Sequence, residues 1–185
     1  KHTFIFLKSI TLSIKGRGFN NFRIIHLSVD LIVKLHSIKP SVVVCSEFNF
    51  NSLLAFIWAK IKKCKYICWS DSTKFCDRDI DLFQRFLRKL ICKFSDAIIA
   101  SSPATTENII SYGGNKNRIF LSMLSIDVFD FNSRVASFRQ TLTQQKSEIR
   151  ILYVGSLINR KGLDLLFYAL EKIRDKNWRL HLVGN

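Results

Sequence analysis

The sequence predicts an α/β fold, built from doubly wound parallel sheets in two Rossmann-like domains, and three observations carry that prediction. Short apolar runs recur along the chain, segments with helical periodicity separate them, and the connections between are brief. Strand, helix, strand, helix with short connections is the pattern of parallel βαβ units.

Taken in order, "HTFIFLKSITLSI" (2–14) is strand material, broken by Lys15-Gly16-Arg17-Gly18. Residues 20–37 place Phe22, Ile25, Leu31, Ile32 and Leu35 at helical spacing, which predicts a helix ending before Pro40. "SVVVCS" (41–46) is apolar throughout, the mark of a strand covered on both faces. A helix over 51–63 follows, capped around Asn51, then a second buried strand, "YICWS" (66–70). Residues 82–94 predict a helix and "DAIIAS" (96–101) a third strand. Ser102-Pro103 opens the next helix, with a capping side chain before proline at the first helical position, and Gly113-Gly114 stops it. "RIFLS" (118–122) is a fourth strand.

Residues 126–147 turn polar with scattered aromatics, as a linker or bridging helix would. A new run then begins: strand 149–155, helix near 162–174, strand 178–184. The expected organisation is a first domain over 1–125, a linker over 126–147 and a second domain over 148–185. That last stretch is too short to complete a sheet, and the chain opens on Lys1, so the expectation is a piece cut at both ends.

Composition bounds the function. With 48% hydrophobic residues, seven Gly and two Pro, the chain is globular rather than disordered. No signal peptide is visible, and the longest apolar-rich run, "SLLAFIWAKIKK", is too short to span a bilayer. Five cysteines without a C-x-x-C pair or a nearby His argue against zinc and for free thiols in a reducing cytoplasm. The net charge is +15, of which +11 falls on residues 1–125. Such a balance calls for an anionic partner: nucleic acid, a phosphorylated ligand or an anionic membrane surface.

Ligands of open α/β sheets sit outside the carboxyl ends of the strands. That rule selects Ser46-Glu47-Phe48-Asn49, Trp69-Ser70-Asp71-Ser72, Ser101-Ser102, and Gly155 to Gly162. In the last stretch, Gly155 permits a close turn and Gly162 leaves the amides of the next helix accessible to an anion. Arg160 can fork onto phosphate oxygens, and Lys161 supplies a point charge. The spacing matches neither G-x-G-x-x-G nor a Walker A loop, so on the residues alone a solvated turn and a phosphate site both stand.

"IRILYVGSLINRKGLDLLFYALEKI…WRLHLVGN" resembles the start of the C-terminal domain of retaining GT-B glycosyltransferases of family 4. "SDAIIASSPATTENIISYGGNKNRIFLSMLSIDVF" is similar to the segment that precedes it in that family, and "KPSVVVCSEF" and "KYICWSDS" to earlier strands, with Gly155, Lys161-Gly162 and Asp127 as the best anchors. The resemblance implies a GT-B fold and transfer of a sugar, with retention, from a nucleotide-diphosphate sugar to a glycan or lipid-linked acceptor, as in bacterial cell-surface polysaccharide synthesis. It implies a donor site at Gly155, Ser156, Arg160, Lys161 and Gly162, where Arg160 and Lys161 hold the diphosphate and stabilise the leaving nucleotide without a metal or other cofactor. Glu47, Ser70 and Asp71 would line the acceptor side, with Asp71 as a catalytic candidate. The expected place is the cytoplasm, peripheral on the inner face of the membrane.

Departures from the family pattern are plain. Ser156 stands where many relatives have Arg, Ser70-Asp71 where many have His-Asp, and Leu124-Ser125 where Asn-Gly is usual. The acidic motif and the ribose- and base-binding residues would lie beyond Asn185, so this piece alone is expected to be inactive.

On residues 82–94, Leu82, Phe83, Phe86, Leu87, Leu90, Ile91 and Phe94 fall on one helical face, with Arg85, Arg88, Lys89 and Lys93 opposite. Such a helix either packs on its sheet or lies on an anionic membrane. Lys60, Lys62, Lys63 and Lys65 read as a solvated helix end. The rival function is a basic nucleic-acid- or anion-binding α/β module without catalysis; nucleic acid is not the expected partner, because the sequence has no basic recognition helix, zinc ligands or interleaved aromatic-basic strand.

Overall fold

The computed structural model describes residues 4–15, 22–78, 80–139 and 149–184. The chain divides into two compact units, Lys1–Ser13 with Ile24–Ser125 and Ile14–Arg23 with Ile126–Asn185.

The chain first forms a two-stranded sheet of β1 (Ser9–Lys15) and β2 (Phe22–Ser28). The helix expected over 20–37 is therefore corrected: its first part is strand, and α1 (Leu31–Ile38) starts only after the turn at Val29-Asp30. Aromatic Phe22 and the β-branched pair Ile24-Ile25 suit an extended chain, and pairing with β1 overrides the helical spacing. The strand expected over 2–14 is shorter, since residues 4–8 are irregular.

The first unit's main sheet has four parallel strands in chain order: β3 (Val42–Ser46), β4 (Lys65–Ser70), β5 (Ala97–Ala100) and β6 (Ile119–Leu121). Three helices make the crossovers, α2 (Phe50–Ile61), α3 (Leu82–Phe94) and α4 (Pro103–Ser111). One side of the sheet, carrying Val43, Tyr66, Cys68, Ile98 and Ala100, is buried with Ala55, Phe56, Ala59, Leu87, Ile91 and Ile109 from these helices. The expectation that β3 is covered on both faces does not hold: Val42 and Val44 are 46% and 54% exposed. Right-handed crossovers between strands taken in chain order bring successive helices to one face, which leaves the other face of β3 open among the described residues.

Local chemistry sets the helix starts. Asp81 accepts from the Gln84 amide at 2.8 Å to cap α3, and Ser102 caps α4 ahead of Pro103. The cap of α2 is Asn49, which accepts from the Ser52 amide at 2.9 Å, and not Asn51. Asn51 is drawn away to the end of β2, accepting from Ser28 N–H at 3.0 Å and donating to the His26 carbonyl at 3.0 Å.

The second unit holds α5 (Val128–Arg139), within the stretch expected as a linker, then β7 (Ile149–Val154), α6 (Leu163–Glu171) and β8 (Trp178–Val183). β7 and β8 pair in parallel, from Ile149 with Trp178 to Val154 with Val183. The helix expected near 162–174 ends at Glu171, and the Trp178 indole N–H donates to the Ile173 carbonyl at 2.8 Å in the turn that follows. Among the described residues no helix is long and apolar enough to cross a membrane.

Candidate functional site

In the first unit, the loops after β3 and β4 meet at the carboxyl edge of the sheet. Glu47 follows β3 with a left-handed backbone, φ 62°, and its N–H donates to the Trp69 carbonyl at 2.8 Å. A non-glycine residue in this conformation carries a steric cost of about 1–2 kcal/mol. The turn aims the Glu47 carboxylate across to the end of β4, where Oε1 accepts from the Asp71 amide at 2.8 Å and Oε2 lies 3.5 Å from Ser70 Oγ. Burial pushes the Glu47 carboxyl above its usual range, and the neighbouring Asp71 side chain pushes the same way, against the hydrogen bond from the Asp71 amide. Glu47, Ser70 and Asp71 are thus brought together, with Asp71 exposed.

From Ser70 the network runs inward. Ser70 Oγ accepts from the Ser72 amide at 3.1 Å, and Ser72 Oγ donates to Asp77 Oδ1 at 2.7 Å. Asp77 Oδ2 receives Arg88 Nε at 3.0 Å and Asn108 Nδ2 at 2.9 Å. Asn108 Nδ2 also lies 3.2 Å from the Ser72 carbonyl. Ser70, Ser72, Asp77, Arg88 and Asn108 are all buried. Burial alone would raise the Asp77 carboxyl, but hydrogen bonds from Asn108 and Ser72 and the Arg88 charge outweigh it and hold the group below its usual range. The Arg88 guanidinium also lies over the Phe48 ring, 5.0 Å from its centroid.

Arg88 corrects the expected faces of α3. The buried face of that helix is Leu87, Arg88, Ile91 and Cys92, while Leu82, Phe83, Phe86 and Phe94 are exposed. Asp77 reaches the sheet side of α3, and its charge turns Arg88 inward. Asp77 and Asn108 were not among the residues singled out from sequence; Ser72 entered only as the end of the Trp69–Ser72 stretch, and Arg88 only as part of the basic face of the helix. The signal for Arg88 was its place at i, i+3 and i+4 with Ile91 and Cys92, inside the apolar stripe. Nothing in the linear sequence pairs it with Asp77 and Asn108.

The basic turn lies in the second unit. Gly155 follows β7, and its N–H donates to the Val183 carbonyl at 2.9 Å. A Cβ on Gly184 would run into the Gly155 carbonyl, so the ends of β7 and β8 approach here as only glycine allows. The Ser156 carbonyl accepts from Tyr153 OH at 2.9 Å. Asn159–Lys161 make one 3-10 turn, and Gly162, at φ 67°, turns the chain into α6. Among the described residues no side chain caps α6, and Lys161 is exposed beside its first turn. Asp164 in that turn brings a negative charge to the same helix end. The backbone of Arg160 belongs to the 3-10 turn, and its side chain lies outside the described residues.

No protein-family model matches the sequence. An uncharacterised 41.2 kDa protein in the cps region of Klebsiella pneumoniae is 24% identical over 180 residues, covering 93% of this chain and 45% of that protein. Among solved structures, HepE of Anabaena in complex with UDP and glucose superposes with a TM-score of 0.62 at 16% identity, over 82% of this chain and 42% of its own. UDP-N-acetylglucosamine 2-epimerase from Rickettsia bellii gives 0.53 at 20% identity, over 84% and 42%. The fold is GT-B-like. The chain spans less than half the length of each of these three proteins.

Proposed function

We propose that this chain is part of a glycosyltransferase that moves a sugar from a nucleotide-diphosphate donor to a hydroxyl of a glycan or lipid-linked acceptor in cell-surface polysaccharide synthesis. The observation that carries the reading is the β7–α6 turn: a helix start free of a capping side chain, with Lys161 exposed beside it. Backbone amides and the helix dipole favour an anion there, and Lys161, with Arg160, supplies the charge a diphosphate needs. As the bond between sugar and diphosphate breaks, the developing charge falls on phosphate oxygens beside these cations. The acceptor hydroxyl oxygen bonds to the anomeric carbon as the diphosphate leaves, and its proton passes to an oxygen of that diphosphate. Glu47 and Asp71 are the acceptor-side carboxylates in this reading, and the buried Asp77–Arg88–Asn108 cluster holds their loop.

The similarity to HepE, solved with UDP and glucose, and to a protein in a cps region supports this reading. The exposed Leu82, Phe83 and Phe86 on α3, flanked by Arg85, Lys89 and Lys93, suit peripheral docking on an anionic cytoplasmic leaflet.

Similarity to a UDP-N-acetylglucosamine 2-epimerase favours a second reading, in which the nucleotide sugar itself is rearranged and no acceptor is used. Expressed from its complete reading frame, the protein should release nucleoside diphosphate only when a hydroxyl acceptor, or slowly water, takes the sugar. Appearance of a 2-epimer of the donor, with no transfer, would replace the first reading by the second.

A further inference from the structure

At the opposite ends of the strands from Glu47 and Asp71, the first unit has a cavity of about 550 Å³. It lies where the C-terminal ends of α1 and α2 hand over to β3 and β4. His36, Lys39, Lys62 and Lys63 line it, together with Ser41 and Trp58, and among the described residues no carboxylate does. Asp96, the acid that serves this lysine-rich stretch, is held by Lys60 at 2.8 Å and Lys65 at 3.2 Å. The four basic residues from 60 to 65 are therefore two kinds, a pair bound to Asp96 and a pair at the cavity.

Helix C-termini attract cations, so a lysine at each helix end is ordinary. The backbone of these lysines is not. Lys39 has φ 49° and Lys63 has φ 54°, two of three left-handed non-glycine residues among those described, at positions where glycine or asparagine carries less strain. Both residues line the same cavity. Trp58 adds an independent sign. It is 7% exposed, it lines the cavity, and its Nε1 is the buried side-chain polar atom without a hydrogen-bond partner among the described residues. A buried donor left unpaired calls for an explanation.

We propose that this cavity binds a phosphate ester, with Lys39, Lys62 and Lys63 as counter-charges to the phosphate, Ser41 as a hydroxyl donor and Trp58 as the wall for the organic part. Lysine ammonium groups are mobile point charges suited to phosphate. The volume exceeds what phosphate alone needs and falls in the range of small-molecule sites, roughly 300–1,000 Å³. The Trp58 indole forms part of the wall, with its Nε1 shielded from solvent. A soluble phosphate ester and a phospholipid headgroup share this chemistry, and the test separates them.

The test follows the Trp58 indole resonance, assigned with Trp58→Phe, in ¹H–¹⁵N spectra of the full chain. Inorganic phosphate and glycerol 3-phosphate are titrated in one arm. Phosphatidylglycerol vesicles are compared with phosphatidylcholine vesicles in a second. The expected result is a saturable shift with glycerol 3-phosphate, weakened at least about tenfold in Lys62→Ala/Lys63→Ala and unaffected by Lys116→Ala. Binding confined to phosphatidylglycerol vesicles, and lost in the same double variant, assigns the site to a lipid headgroup. Lys39→Gly and Lys63→Gly guard against misfolding, because glycine suits the left-handed backbone: each should raise the thermal midpoint while weakening binding. No shift in either arm, or binding that survives the loss of Lys62 and Lys63, overturns the proposal.

Discussion

Arg88 and Asp77 form a buried ion pair, Nε to Oδ2 at 3.0 Å, with side chains 10% and 4% exposed. Charges so placed are tolerable only because every oxygen of Asp77 is used: Ser72 takes one, Arg88 and Asn108 the other. The pair joins the loop after β4 to α3, and Asn108 ties α4 to the same point.

Removing one partner strands a buried charge, so Arg88→Ala should destabilise the first unit by about 3–5 kcal/mol. Asp77→Ala should fall in the same range, and the double variant should cost less than the two added together. Urea unfolding followed by circular dichroism measures all three. A loss below about 1 kcal/mol for Arg88→Ala, the size expected of a surface pair, would mean that water reaches the site.

Acid should weaken the fold through Asp77 and Asp96. Burial opposes ionisation of Asp96, but hydrogen bonds from Lys60, the Tyr66 amide and Lys65 more than reverse it and depress its pKa. Asp77 is depressed likewise. An acid depressed in the folded state stabilises above its unfolded value, about 3.9 for Asp, and that contribution is lost as pH falls towards the folded value. Stability should therefore drop below about pH 4, and Asp96→Asn should flatten that limb. An identical acid limb in Asp96→Asn would remove Asp96 from the account.

Glu47 should behave with the opposite sign. Its raised pKa means that the folded state favours the protonated form, so ionisation works against folding as pH rises through the folded value. Glu47→Gln keeps an acceptor for the Asp71 amide and should be as stable as wild type or more so at pH 7, while acceptor-dependent turnover falls. Unchanged turnover would take Glu47 out of the acceptor site.

Lys161→Ala should weaken nucleotide-sugar binding by about 1.5–3 kcal/mol, the range of a charged hydrogen bond. Arg160→Ala should cost less, unless Arg160 does the work of the arginine that Ser156 replaces. Binding measured calorimetrically on the complete reading frame decides this, and wild-type affinity in both variants would dismiss the anion site.

For membrane docking, Arg85→Glu with Lys89→Glu should reduce partition onto phosphatidylglycerol vesicles at least about tenfold, each lost surface cation counting for about 1 kcal/mol. Helix content should not change. Arg88 must be spared, because its removal destabilises the unit and would confound the readout of release. Equal binding to neutral and anionic vesicles would sink the idea.

Much of the fold was legible because strand and helix signals agree locally. α3 spans the predicted residues 82–94, and Ser102-Pro103 opens α4 as its side chain and ring require. Failures occur where a distant partner decides. Phe22–Ser28 becomes strand because β1 lies beside it, and Asn51 leaves the helix cap for β2. For the site, the strand-end rule selects Glu47, Ser70 and Asp71, which the structure joins by hydrogen bonds. It could not find Asp77, Arg88 and Asn108, because they converge from a loop and two helices and share no local pattern.

The order β3, β4, β5, β6 also bears on how the chain is made. Each strand pairs with the one synthesised just before it, so the sheet can grow at a single advancing edge as the ribosome delivers it, every arriving strand finding its template already in place. Arg88, Asp77 and Asn108 close their cluster only after α4 emerges, so early intermediates hold a charged pair whose last polar partner has not arrived.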